Sequence, residues 1–298
     1  MSTYIITGAT GWLGRATLEH IFQKQGHLEN VVCVASTSRE EDLGFTKIHT
    51  ITFSELAQME IENAIIFHLA YLTKDKNSTM TDEEYIKKNH QIRDFVANFL
   101  PKQKFLFYAS SGATLHQNGH TLYGDLKLQD ETFFQSLCQK HGIKFLNTRI
   151  FNIIGKHIQN YKAYACSDFI LQLKEKNAIQ IGASCHVVRS YINISSLIEI
   201  IFAFQEDEHS EMFYSFETAN RTLNLLELAN ITKNVLCFQN AEIIHKINPE
   251  LKENYYVGNP ERQNVLIERY KIKLQTLEDS IMQLNTYLET TFSQSTSS

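Results

Sequence analysis

The chain is poor in several features that would each assign it to a class. Its five cysteines, at positions 33, 138, 166, 185 and 237, are odd in number and contain no C-x-x-C pair. Buried free thiols in a reducing cytoplasm are the simplest reading. Twelve histidines show no recognisable metal spacing, so no metal is expected. There is no excess of basic residues and no basic stripe: the formal net charge is −5 and the pI about 6.2. Nucleic acid is thus an unsupported partner. No apolar run approaches a membrane span. No internal repeat is visible, and a strand that starts at Thr3 leaves no place for a secretory leader. What remains is a hydrophobic content of 43% over 298 residues. That is enough for one large α/β domain with a lobe, or for two domains.

Strand and helix signals alternate along most of the chain, which predicts a parallel doubly wound sheet. Tyr4-Ile5-Ile6-Thr7 reads as a short buried strand, and Arg15 to Gln25 as a helix. Between them lie Gly8, Thr10, Gly11, Trp12, Leu13 and Gly14. One glycine permits the tight turn, one lets a pyrophosphate approach the backbone, and one lets helix and strand pack closely. The helix N-terminus then presents N–H groups and a partial positive charge to the phosphates. The spacing is G-x-x-G-x-x-G.

The next strand, Val31 to Val34, ends without the acid that accepts from an adenosine 2′-hydroxyl. Ser36 and Arg39 suit a 2′-phosphate better, so NADP(H) is preferred and NAD(H) is the alternative. Glu40, Glu41 and Asp42 follow at once, and Arg39 as a plain surface charge stays open.

Phe105 to Ala113 reads as a buried strand that ends in small polar residues, the end at which such sheets bind ligands. A helix from about Leu122 to His141 follows. Its Tyr123-Gly124-Asp125-Leu126-Lys127 sets a tyrosine and a lysine four residues apart, on one helix face. A free tyrosine has a pKa near ~10, and a neighbouring ammonium favours the phenolate.

These motifs, in this order, resemble the extended short-chain dehydrogenase/reductases that act on nucleotide sugars as epimerases, dehydratases and reductases. Phe67-His68-Leu69-Ala70, Tyr85 to Asn89, Arg149 to Gly155, Arg189 to Leu197 and Leu223 to Ala229 agree in register, from residue 3 to about 230. The resemblance implies a Rossmann doubly wound parallel sheet over 1–155, with segments from about 187–230 returning to it. It implies a smaller C-terminal substrate-binding lobe over 156–186 and 231–292, with a disordered tail at 293–298. Tyr123 is then the general acid/base. Lys127 orients the nicotinamide ribose as well as the tyrosine. Ser111 orients the substrate oxygen, with Ser110 as the alternative. Leu69 and Ala70 lie beside the cofactor. Asn152, Arg189 and Arg262 are the candidate contacts to a nucleotide-diphosphate sugar. Arg149 at its family position favours the same substrate class, and His68 is read as packing. The helices at about Thr81 to Leu100 and Leu122 to His141 imply a homodimer.

Two departures narrow the chemistry. The acid pair of the family's dehydratases is replaced by Gly112 and Ala113, which cannot move protons. The acidic step at the start of the 194 helix is Ile194-Ser195-Ser196, so a serine cap is expected there. The expectation is a cytoplasmic NADPH-dependent 4-ketoreductase of nucleotide-linked 4-keto-6-deoxyhexoses in surface-polysaccharide synthesis, similar to the CDP-abequose synthase type. The alternatives are an epimerase that retains NAD, a catalytically silent cofactor-binding or scaffold protein, and a reductase of other small ketones.

Overall fold

The computed structural model describes residues 2–73 and 79–295. In chain order the strands and helices are β1 (Tyr4–Thr7), α1 (Trp12–Gln25), β2 (Val31–Val34), β3 (Arg39–Asp42), β4 (Lys47–Ile51), α2 (Phe53–Leu56), β5 (Ile65–His68), α3 (Asp82–Phe99), β6 (Phe105–Ser111), α4 (Leu122–His141) and β7 (Lys144–Ile150). They continue as β8 (Asn152–Ile154), α5 (Ala165–Lys176), β9 (Ala178–Ile181), β10 (Val187–Asn193), α6 (Ile194–Glu206), β11 (Phe213–Glu217), β12 (Arg221–Asn224), α7 (Leu225–Val235), β13 (Glu242–His245), β14 (Asn254–Tyr256), α8 (Glu261–Tyr270) and α9 (Leu277–Ser295).

The chain divides into two compact units. The first comprises 1–116, 120–149 and 201–216; the second comprises 117–119, 150–200 and 217–298. The first unit is built on an eight-stranded sheet in the order β11-β7-β6-β5-β1-β2-β4-β3. β1 pairs in parallel with β2 on one side and with β5 on the other, so the strand order reverses there. Sheets of this kind bind ligands at that reversal, outside the carboxyl ends of the strands. β1, β5 and β6 are buried along their whole length, as strands covered on both faces must be. Their side chains Ile5, Ile66, Leu106 and Tyr108 pack with Phe134 of α4 and Phe145 of β7. β3 is the exception, an antiparallel edge strand whose sequence Arg-Glu-Glu-Asp keeps that edge charged.

The helices begin where their caps dictate. Thr81 caps α3 in a reciprocal pair with Glu84, and Asn224 caps α7 with Glu227. Thr121 caps α4 by accepting from the Gly124 N–H.

The second unit has β10 as its organising strand. β10 pairs antiparallel with β12 and parallel with both β8 and β14. This corrects the expected boundaries: 150–155, 187–200 and 217–230 belong here, and only 201–216 returns to the first unit. The reason is hydrogen bonding, because β8 and β10 bond to each other and not to the large sheet. The expected serine cap of α6 is corrected as well. Asn193 does the capping, its Oδ1 accepting from the N–H groups of Ser195 and Ser196 at 2.8 and 3.3 Å. The expected tail is helical at 293–295, while 296–298 lie outside the described residues. Thr286, Thr290, Thr291 and Ser293 return their hydroxyls to carbonyls four residues back, which satisfies those hydroxyls within the helix.

Candidate active site

The glycine turn fits a pyrophosphate. A Cβ at Gly14 would lie 2.2 Å from the Gly8 carbonyl oxygen and 2.6 Å from that of Ala9, so α1 meets the turn too closely for any side chain. Gly8 has φ +71 and lies hard against the backbone of Ala70, where a Cβ would come within 2.8 Å of N. Gly11 ends the turn in extended conformation and caps α1 without a side-chain bond, and the first turn of α1 holds no acid. The first N–H groups of a helix lack intrahelical partners, so this end is suited to an anion. Thr7 Oγ1 ties the two sides together, accepting from the N–H groups of Leu69 and Ala70 at 3.1 and 3.2 Å. Among the described residues, Gly8, Thr10, Gly11, Trp12, Leu13, Gly14, Leu69 and Ala70 thus converge at the ends of β1 and β5.

Ser36 is exposed just past the end of β2. Arg39 starts β3, and its Nε donates to Glu41 Oε2 at 3.0 Å. Glu41 also accepts from Arg15 Nη2 at 2.5 Å. Two guanidinium groups therefore share one carboxylate beside the turn. Glu41 was not singled out as a site residue in the sequence, because the β3–β4 hairpin that folds it back toward Arg15 had no clear signature.

Tyr123 and Lys127 occupy the first two turns of α4, as their spacing predicts. Gly124 between them is required for packing, since a Cβ there would lie 2.5 Å from the Ala113 carbonyl oxygen. Lys127 is buried, with 4% of its surface exposed. Its Nζ donates to the Ala109 carbonyl at 2.7 Å and lies 3.9 Å from the centroid of the Tyr71 ring and 4.8 Å from that of Tyr108. Burial pulls its pKa below the ordinary lysine range, and the carboxylates of Asp130 and Glu131 oppose that shift. Tyr71 also meets Tyr123 edge-on, ring centroids 5.5 Å apart. The loop carrying Tyr71 is pinned by Asn89 of α3, whose Oδ1 accepts from Leu72 N at 2.9 Å. Tyr71 directly follows the Phe-His-Leu-Ala segment, which was the signal that sequence reading passed over.

The two serines separate cleanly. Ser110 Oγ donates to Glu131 Oε1 at 2.5 Å. Glu131 is in turn gripped by the Arg149 guanidinium at 2.8 and 3.0 Å. Ser110 and Arg149 therefore belong to one network through Glu131 beneath the strand end, which accounts for both without a substrate. Ser111 caps the turn that follows, accepting from Ala113 N at 3.2 Å. His68 is packing, as expected. It is 2% exposed, its Nδ1 lies 2.8 Å from Thr7 Oγ1, and burial with the Lys127 charge pulls its pKa down to about 3.

In the second unit, Arg189 and Asn152 line one cavity of about 210 Å³ with Tyr164, Tyr191 and Leu225. Arg189 is half-buried and donates from Nη1 to the carbonyls of Val188 and Asn254 at 2.9 and 3.0 Å. Burial lowers its pKa from the ordinary arginine value. Asn152 Nδ2 donates to the Ser190 carbonyl at 3.1 Å. Arg262 is exposed on α8 and is not among the residues that line this cavity.

The structure also gathers residues that the sequence reading left apart. His116, His120 and Asp125 bring their ligating atoms within 4.8 Å of one another. This corrects the reading that the histidines form no metal pattern. The missed signal is H-x-x-x-H followed five residues later by Asp, which is local in sequence but spans a turn and a helix start.

The model of the NAD dependent epimerase/dehydratase family matches residues 4–214. No curated protein matches the chain. Among solved structures, a UDP-N-acetylglucosamine 4-epimerase from Methanobrevibacter ruminantium is 15% identical, covers 97% of this chain and 99% of its own, and superposes with a TM-score of 0.74. The UDP-glucose 4-epimerase of Thermotoga maritima gives 14% identity, the same coverages and a TM-score of 0.74. The hexosamine 5,6-dehydratase TunA gives 12%, 96%, 97% and 0.72. These likenesses establish the shared fold, and the family model, which spans the glycine turn and the Tyr123–Lys127 helix, establishes the membership: the chain belongs to the NAD dependent epimerase/dehydratase family.

Proposed function

We propose that the protein reduces the C4 ketone of a nucleotide-linked 4-keto-6-deoxyhexose with NADPH. The observation that carries this reading is the pairing of Tyr123 and Lys127 beside Ser111 when Gly112 and Ala113 stand where dehydration needs acids. The nicotinamide, when bound, supplies a hydride to C4. Ser111 orients the ketone oxygen, and Tyr123 delivers a proton to that oxygen as it becomes an alkoxide. Lys127 holds a positive charge under the site and orients the ribose.

The preference for NADP(H) rests on Ser36 and on Arg15 and Arg39, two guanidinium groups that share the one carboxylate of Glu41 beside the turn. Arg189, with Asn152 in the same cavity, is the proposed diphosphate contact, since a guanidinium matches phosphate oxygens as a fork. Arg262 is the outer candidate. The five free cysteines fit a cytoplasmic enzyme of surface-polysaccharide synthesis. A homodimer would use α3 and α4, where Arg93, Leu128, Phe133 and Leu137 line a groove of about 890 Å³. Sedimentation as a monomer would remove that part of the proposal.

The test is loss of reduced-nicotinamide absorbance with CDP-, dTDP- and GDP-4-keto-6-deoxyhexoses. Stoichiometric oxidation of NADPH with one of them is expected, and Tyr123→Phe should lose most turnover while keeping cofactor affinity. A Tyr123→Phe enzyme with wild-type rate would overturn the assignment.

A second reading, an epimerase that retains NAD, is favoured by Glu41, an acid of the kind that accepts from a ribose 2′-hydroxyl. NAD+ released on denaturing the purified protein, together with isomerised sugar and no net cofactor oxidation, would establish it.

A further inference from the structure

We infer that His116, His120 and Asp125 form a binding site for a late first-row divalent metal ion, of the zinc, cobalt or nickel kind. Asp125 Oδ1 lies 3.4 Å from His116 Nε2 and 3.2 Å from His120 Nδ1. In a tetrahedral zinc site with metal–ligand distances of 2.0–2.2 Å, neighbouring ligand atoms lie about 3.3 Å apart. The two edges from Asp125 match that figure, and all three ligating atoms lie within 4.8 Å of one another.

The charge arrangement points the same way. One carboxylate oxygen faces ring nitrogens of two imidazoles, and the rings stack with centroids 3.9 Å apart at 23°. If both rings are protonated, two cations lie face to face. If both are neutral, each can turn one N–H toward that oxygen, which makes an ion-free hydrogen-bonded cluster the competing arrangement. A metal ion at the centre satisfies all three groups at once. Two imidazoles and one carboxylate suit zinc-like ions rather than calcium or magnesium, which take oxygen ligands.

The protein holds the ligands with some effort. His116 sits at φ +53, a left-handed conformation uncommon for a residue with a side chain. Its Nδ1 is buried without a hydrogen-bond partner, so the ring is held by what its Nε2 faces. His120 is 76% exposed and Asp125 42%, which leaves water free to complete the coordination shell. The ion would join both histidines to the first turn of α4, two residues beyond Tyr123. Its role is to fix the segment that leads into the catalytic helix.

The experiment uses the full chain, stripped with a chelator. Zn²⁺ is titrated against a chromophoric chelator, and Co²⁺ is titrated separately to read its visible absorption. One equivalent per chain is expected, with the intense bands of a four-coordinate Co²⁺ site. His120→Ala and Asp125→Asn should each weaken binding by about tenfold or more, since even losses outside the ligand shell cost that much. Zn²⁺ should raise the melting temperature of the wild type and not of the variants. His120 is exposed enough for its replacement to leave the fold intact, and His116→Asn keeps a residue that tolerates the left-handed backbone. Binding by the wild type no tighter than by these variants, or a Co²⁺ spectrum of the hexaaqua type, would overturn the site and leave the cluster an ion pair.

Discussion

At the scale of single residues, the proposed catalytic pair is modified by a neighbour. Tyr71 places its ring over the Lys127 ammonium and against the edge of Tyr123, so it touches both groups to which the proposal assigns the chemistry. A desolvated cation–π contact contributes about 2 kcal/mol. Tyr71→Ala should therefore lower kcat/KM by about tenfold, with a shifted pH profile, whereas Tyr71→Phe keeps the ring and should stay near wild type. Equal losses in both variants would assign the effect to the hydroxyl instead. His68 carries a second consequence. It is held neutral in the fold, its pKa pulled down to about 3, whereas the unfolded chain takes up that proton at about 6.5. Below that value the unfolded state binds more protons, so stability falls as pH falls toward 3. His20, pulled down to about 4 by burial and by Lys24, acts in the same direction. Melting temperatures from pH 7 to 4 should drop steadily, and His68→Gln should flatten part of the slope. An unchanged slope would show that other groups govern acid unfolding.

At the scale of elements, the turn between β1 and α1 is fixed by contact rather than by hydrogen bonds alone. Gly14→Ala drives a methyl into the Gly8 carbonyl oxygen, where a Cβ would lie at 2.2 Å. It should cost about 3 kcal/mol of stability by overpacking and should impair cofactor binding together with it. A calorimetric scan that shows no loss of melting temperature would mean the helix can back away. Elements of this kind were legible in the sequence. The α4 boundaries and β2 follow from local sequence, and the start of α7 from the resemblance of Leu223 to Ala229 to the family pattern. β3 and β8 were not. Both are short: β3 is a charged edge strand that folds back on its neighbour β4 without a clear turn signature, and the distant β10 draws Asn152–Ile154 away from the large sheet. The same divide runs through the site. Tyr123, Lys127 and the glycines carry local spacing and were readable. Tyr71, Glu41 and Glu131 act through tertiary contacts, which no window of sequence displays, and Glu131 also ties Ser110 and Arg149 into its own network.

At the scale of the whole molecule, the first unit is discontinuous. Its large sheet is completed on one side by β11, which reaches β7 only after an excursion through 150–200. A fragment ending at residue 155 should therefore be insoluble or molten, because β7 would become an open edge flanked by unpartnered apolar side chains. A soluble, cooperatively melting fragment with cofactor affinity would contradict this.

During synthesis the same discontinuity sets an order of events. A nascent chain that has emerged only to β7 holds every residue of the glycine turn and of the Tyr123 helix, yet cannot close their sheet until residue 216 has left the ribosome. At roughly 5–20 residues per second, that wait lasts several seconds. For that interval the chain is most exposed to mispairing, and its yield in cells should depend on whatever covers the β7 edge while translation continues.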